Sequence, residues 1–149
     1  MPFPVDRSRS IISAMIVGRK VTSLDVAWLR REVFADGCVS RESAEDLFAV
    51  ERAPIEKAPE WTDFFVEMVT EYALWQERPT GVLNETQAEW LLHQADSCMT
   101  ISVLAALVNV LGEAWRAPRW FLAGVRARAE REWAIEPATA AAPRCTAAG

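Results

Sequence analysis

A repeat constrains this chain more than any other feature of its sequence. Residues 35–48 read Ala-Asp-Gly-Cys-Val-Ser-Arg-Glu-Ser-Ala-Glu-Asp-Leu-Phe, and residues 95–108 read Ala-Asp-Ser-Cys-Met-Thr-Ile-Ser-Val-Leu-Ala-Ala-Leu-Val, an offset of sixty positions. In both, a short turn leads to an apolar residue (Val39, Met99) and then to a hydroxyl (Ser40, Thr100) suited to cap the free N–H groups of a new helix. Downstream, Lys57-Ala58-Pro59-Glu60-Trp61 resembles Arg116-Ala117-Pro118-Arg119-Trp120 at an offset of 59. Each places a proline near a helix start, where its missing N–H is harmless. A third, weaker instance is Gly81-Val82-Leu83-Asn84, in which Asn84 caps and Gln87 completes a capping box. Repeated units of this kind imply a duplicated supersecondary element whose copies share one core.

The pattern predicts an all-α fold, a compact bundle of six or seven helices with an internal pseudo-two-fold duplication, its copies spanning about 22–76 and 84–133. Helices are expected near Ser23–Phe34, Ser40–Ala53, Glu60–Gln76, Asn84–Gln94, Thr100–Trp115 and Pro118–Trp133, with a seventh, short one near Ser8–Val17. No segment reads as a strand. Trp61, Phe64, Phe65, Met68, Val69, Tyr72 and Trp75 recur at helical spacing and form one amphipathic stripe. Ile101, Val103, Leu104, Leu107, Val108, Val110 and Leu111 surround their helix almost completely, so that helix is expected to be central and the most buried. Most of the seven tryptophans are expected in the core, with Trp133 the best candidate for an exposed anchor. A single domain over 1–135 fits the 149-residue length, followed by a disordered Ala- and Pro-rich tail over 136–149.

The net charge of −5 is unevenly distributed: residues 1–31 carry +4, residues 32–113 carry −12 and residues 114–149 carry +3. An acidic body disfavours a phosphate backbone, so nucleic acid is not an expected partner. The longest apolar run, Ile101–Leu111, is too short to span a bilayer, which leaves only peripheral membrane association open. Arg19-Lys20 fall where a signal-peptide cleavage site would lie, and the three cysteines lack both CxxC spacing and an even count. A cytoplasmic setting with reduced thiols is the expectation.

Few residues suggest chemistry. Asp36-Gly37 resembles part of a calcium loop, but Glu32, Phe34 and Ser43 occupy other ligand positions and the oxygen cage does not close; Asp36 is better suited to bracing a turn. Asp63, Glu67 and Glu71 stand at i, i+4 and i+8, a carboxylate row opposite the aromatic stripe. It reads as a solvated face or as a docking ridge for a basic partner or for the chain's own Arg-bearing ends. Arg119, Arg126 and Trp133 form the corresponding candidate surface near the C-terminus. His93 is the only histidine, so no His-pair metal site and no Ser-His-Asp relay assembles. No cofactor is expected.

The stretch from Val21 to Glu42, with its Ala35-Asp36-Gly37 turn, capping Ser40 and Glu42, resembles TerB-like proteins, the helical family named after tellurite resistance. The resemblance extends to about Leu122. It implies two related helical halves, an acidic metal site at the two turns and a role in stress response near membranes. Asp36 and Glu42 match the first turn; in the second, Ser97 replaces the glycine and Ser102 the glutamate, leaving Asp96 alone.

The leading expectation is therefore a non-enzymatic protein-interaction module, an accessory subunit or stress-response adaptor with a protein partner. The alternative is a divalent-metal-binding stress-resistance protein using Asp36, Glu42 and Asp96. A third is an enzyme or ligand carrier with a pocket near His93 and Cys98.

Overall fold

The computed structural model describes residues 17–136, with side chains through residue 130. The expected helix near Ser8–Val17 and the tail past Glu136 fall essentially outside that range. Within it the protein is all-α. Six helices follow one another: α1 (Ser23–Trp28), α2 (Arg41–Arg52), α3 (Pro59–Thr70), α4 (Glu85–Ser97), α5 (Ile101–Glu113) and α6 (Arg119–Glu136). Two of them widen at their C-terminal ends into a π-helical turn, α1 through Leu29–Val33 and α3 through Glu71–Trp75.

The helix starts are set by side chains at the positions the repeat marks. Ser40, Asn84 and Thr100 each accept the backbone N–H three residues on, at 3.0, 2.7 and 3.1 Å respectively. Thr22 and Asp25 form a reciprocal capping box that starts α1. Pro59 occupies the first turn of α3. Between α1 and α2 the chain reverses at Gly37, whose φ of +76° is a left-handed conformation costly for any residue bearing a Cβ. Asp36 braces that turn by accepting the Cys38 N–H at 3.0 Å. In the similar stretch Ala95-Asp96-Ser97, where a serine stands in the place of the glycine, α4 instead runs on through Ser97.

Strand pairing is present although no segment announces it. Lys20–Val21 (β1) pairs in parallel with Glu56–Lys57 (β2), and an isolated parallel bridge joins Val82 to Arg116. These are the segments leading into α1 and α3, and into α4 and α6. Two residues of backbone pairing are too short to leave an alternating pattern.

One continuous core runs through the molecule. Leu47 and Phe48 of α2, Trp61, Phe64 and Phe65 of α3, Leu91 of α4, Leu107 of α5 and Phe121 of α6 are all buried. Phe48 meets Phe65 and Trp90 edge to face, with ring centroids 5.0 and 5.8 Å apart. Inside the core the buried Glu51 of α2 joins two other helices: Trp61 Nε1 donates to it at 2.7 Å and Thr100 Oγ1 at 2.6 Å. The helix pair α3 and α5 is stitched further by Thr62 to Ser102 (2.9 Å) and Asn109 to Thr70 (2.8 Å).

Two expectations about burial are corrected. Of the six tryptophans with described side chains, Trp61 and Trp90 are buried, Trp28 is half-buried, and Trp75, Trp115 and Trp120 are exposed. α5 is central, yet one of its faces is not covered: Ile101 is 50% and Val108 53% exposed. The two lie seven residues apart, on one side of the helix.

Candidate protein-docking groove

The uncovered face of α5 forms one wall of a groove whose other wall is α3. The groove has a volume of about 860 Å³. Val66 and Trp75 from the α3 side, and Ile101, Leu104 and Val108 from α5, make its apolar lining; Ala129 of α6 reaches one margin. Asp63, Glu67, Glu71 and Glu113 line the same groove, and among the described residues no lysine or arginine does. All of the aromatic stripe of α3 except Trp75 turns into the core, so the carboxylates four residues apart are carried to the opposite side, beside the open face of α5.

These carboxylates are partly engaged at the rim. Arg30 Nη1 lies 2.8 Å from Glu67 Oε1, both side chains being well exposed, and the Arg30 guanidinium sits over the Phe64 ring at 5.2 Å. Gln76 Nε2 donates to Glu71 at 3.1 Å, while Glu113 accepts from Asn109 (3.3 Å) and from Trp75 Nε1 (3.4 Å). Exposed ion pairs of this kind are weak.

One end of the groove is aromatic. Trp75 and Trp115 flank Gly81, whose φ of +79° is left-handed and whose missing Cβ leaves room for the Trp75 ring: a Cβ there would stand 3.4 Å from it. Arg116 lies over the Trp115 ring at 5.2 Å. Trp75 lines the groove, and Trp115 is 77% exposed.

The sequence-derived site residues separate into groups. Asp63, Glu67 and Glu71 come together on the groove wall. Arg119 and Arg126 are exposed on α6 and do not line the groove, and the Trp133 side chain lies outside the described residues. Asp36 is held by the Cys38 N–H, and Asp96 is gripped by Arg128, which donates from Nε and Nη2 at 2.7 Å each and from Nη1 to the Gly124 carbonyl. Among the described residues no three His, Cys, Asp or Glu side chains gather in a group fit to hold a metal ion, so Asp36, Glu42 and Asp96 form no common site.

His93 is exposed and Cys98 half-buried, and neither lines the groove. Burial pushes the Cys98 thiol above its ordinary pKa, and the Glu51 carboxylate adds to the shift. A thiol so disposed keeps its proton, the opposite of what a nucleophile needs.

Three features of this arrangement were not singled out from sequence: the Glu51 hub, the Arg128–Asp96 clamp and the open floor of the groove. The floor carried no separate signal, because a helix that is apolar all round reads as fully buried.

The fold and groove define a small helical-bundle protein with an acidic-rimmed apolar groove. No protein-family model, curated protein or solved structure was found to match the chain. No described helix is long and apolar enough to cross a membrane.

Proposed function

We propose that this protein is a non-enzymatic interaction module whose groove between α3 and α5 receives a basic amphipathic helix from a protein partner. The observation that carries the reading is the open apolar face of α5, Ile101 and Val108, in a groove that among the described residues is lined by four carboxylates and no lysine or arginine. An apolar groove with a polar rim is the usual receptor for an amphipathic helix laid lengthwise, with apolar anchors at helical spacing. Here the rim selects lysine and arginine on the flanks of that helix. Trp75 at the groove end supplies an aromatic anchor of the type that dominates binding energy at interfaces.

Fluorescence anisotropy with a labelled leucine–lysine helical peptide tests this. Binding that weakens as salt is raised is expected, with none for a leucine–glutamate peptide of the same length. Val108→Asp puts a charge on the groove floor and abolishes binding. Equal affinity for the two peptides, or an unaltered Val108→Asp protein, would sink the proposal.

We further infer that the two halves descend from one three-helix unit, α1–α3 in the first and α4–α6 in the second. Support comes from the backbone pairings: Val21 with Lys57 in the first half corresponds to Val82 with Arg116 in the second, at offsets of 61 and 59. The caps Ser40 and Thr100 start the middle helix of each unit. The likeness to TerB-like proteins, and with it an adaptor role in stress response, belongs to this proposal.

A further inference from the structure

The chain itself carries a segment whose make-up complements the acidic groove. Residues 7–17 read Arg-Ser-Arg-Ser-Ile-Ile-Ser-Ala-Met-Ile-Val, with two arginines and no acidic residue. Set on a helix at about 100° per residue, Ile11, Ile12, Met15 and Ile16 make one apolar stripe. Arg7 falls on the border of the stripe beside Ile11 and Arg9 on the opposite border beside Ile16, while Ser10 and Ser13 fall on the far side. Apolar anchors on one face with cations at its flanks are what a groove with an apolar floor and a carboxylate rim accepts.

The described residues begin at the end of the groove that such a segment needs. Lys20 pairs with Glu56, three positions before α3 starts at Pro59, so the chain preceding β1 departs beside the N-terminus of α3. The groove opens within the first turn of that helix, at Thr62, Asp63 and Ile101. Its two walls then run side by side in one direction, Thr62 bonded to Ser102 and Thr70 to Asn109, as far as Trp75 and Glu113. From Thr62 to Trp75 is about 20 Å along α3, and residues 8–17 as a helix measure about 15 Å.

Other occupants fit less well. Residues 137–149 are alanine, proline, threonine and glycine with one arginine and one cysteine, and offer no large apolar anchor. The groove face of a second copy would set its own four carboxylates against these four, a like-charge contact that opposes association.

We propose that residues 7–17 occupy the groove of their own chain as a short amphipathic helix, with Ile11, Ile12, Met15 and Ile16 on its apolar floor and Arg7 and Arg9 at its carboxylates. The segment takes the place of a partner's helix and has to be displaced by it. This rests on the reading of the groove as a receptor for basic amphipathic helices and adds the regulation of that site.

Amide spectra of the isotope-labelled full chain, together with anisotropy of the leucine–lysine peptide, test the placement. Ile12→Asp/Met15→Asp puts two charges into the apolar stripe, and the amides of Asp63, Glu67, Ile101 and Val108 should shift from their positions in the unsubstituted chain. The peptide should then bind about tenfold tighter, because a competitor tethered at roughly millimolar effective concentration has been removed. Arg7→Glu/Arg9→Glu keeps the stripe apolar and should produce the same changes, most strongly at low salt. The placement is overturned if the groove amides move in neither variant, or if the peptide binds all three chains equally well; in the second case the docking reading stands. Groove amides that move while the peptide binds none of the three chains uphold the placement and defeat the docking reading instead. Differences that fade on dilution would put the segment in the groove of another copy and overturn its placement within one chain.

Discussion

Glu51 shows how a single side chain holds three helices in register. It is buried, and it accepts from Trp61 on α3 and from the cap of α5 at once. Glu51→Leu leaves the donors of buried Trp61 and half-buried Thr100 without an acceptor, and a chemical denaturation midpoint should report a loss of about 2–6 kcal/mol, at the rate of 1–3 for each unsatisfied group. Glu51→Gln keeps one acceptor and should lose less. Cys98 makes a second prediction at this scale. Because the folded thiol holds its proton to higher pH than the unfolded one, its contribution is fully present below the ordinary thiol range and stability falls as pH rises through it. Peptide mapping after iodoacetamide treatment at mildly alkaline pH should find Cys98 modified more slowly than the exposed Cys38. Neither residue's role was legible in the sequence, since a lone glutamate in an amphipathic helix and a lone cysteine after a turn carry no spacing pattern. The turn role of Asp36 was legible, because an aspartate before a glycine can satisfy a backbone N–H two residues on.

At the level of elements, the repeat spelled out where helices begin because capping is local: Ser40, Asn84 and Thr100 each act on the amide three residues away. Helix ends were less legible. The π-helical turns that close α1 and α3 bury Leu29 and Tyr72, and they carry no mark in the sequence. The short β1–β2 pairing was invisible for its brevity. The two equivalent caps differ in one respect. Ser40→Ala removes a cap bond and should cost about 1 kcal/mol. Thr100→Ala removes both the cap bond and the donor to buried Glu51, and should cost about 2–3 kcal/mol in the same denaturation experiment.

For the whole molecule, the governing fact is that the six described helices leave one apolar face of α5 exposed. The carboxylate row Asp63, Glu67, Glu71 was readable from its spacing, and so was the all-round apolar character of α5. Which side of α5 would remain open was not readable, because a face covered by the chain itself and a face covered by a partner have the same composition. Assembly sets α3 beside α5 so that the acidic row borders the open face, and that juxtaposition makes a groove out of two separately ordinary features. Nuclear magnetic resonance titration of the isotope-labelled protein with the leucine–lysine helix tests the claim most directly. The account predicts amide shifts concentrated along α3 and α5, at Asp63, Glu67, Ile101 and Val108 and their neighbours, and fewer on α2 and α4. Shifts centred on the arginine face of α6, or scattered without regard to the groove, would contradict it.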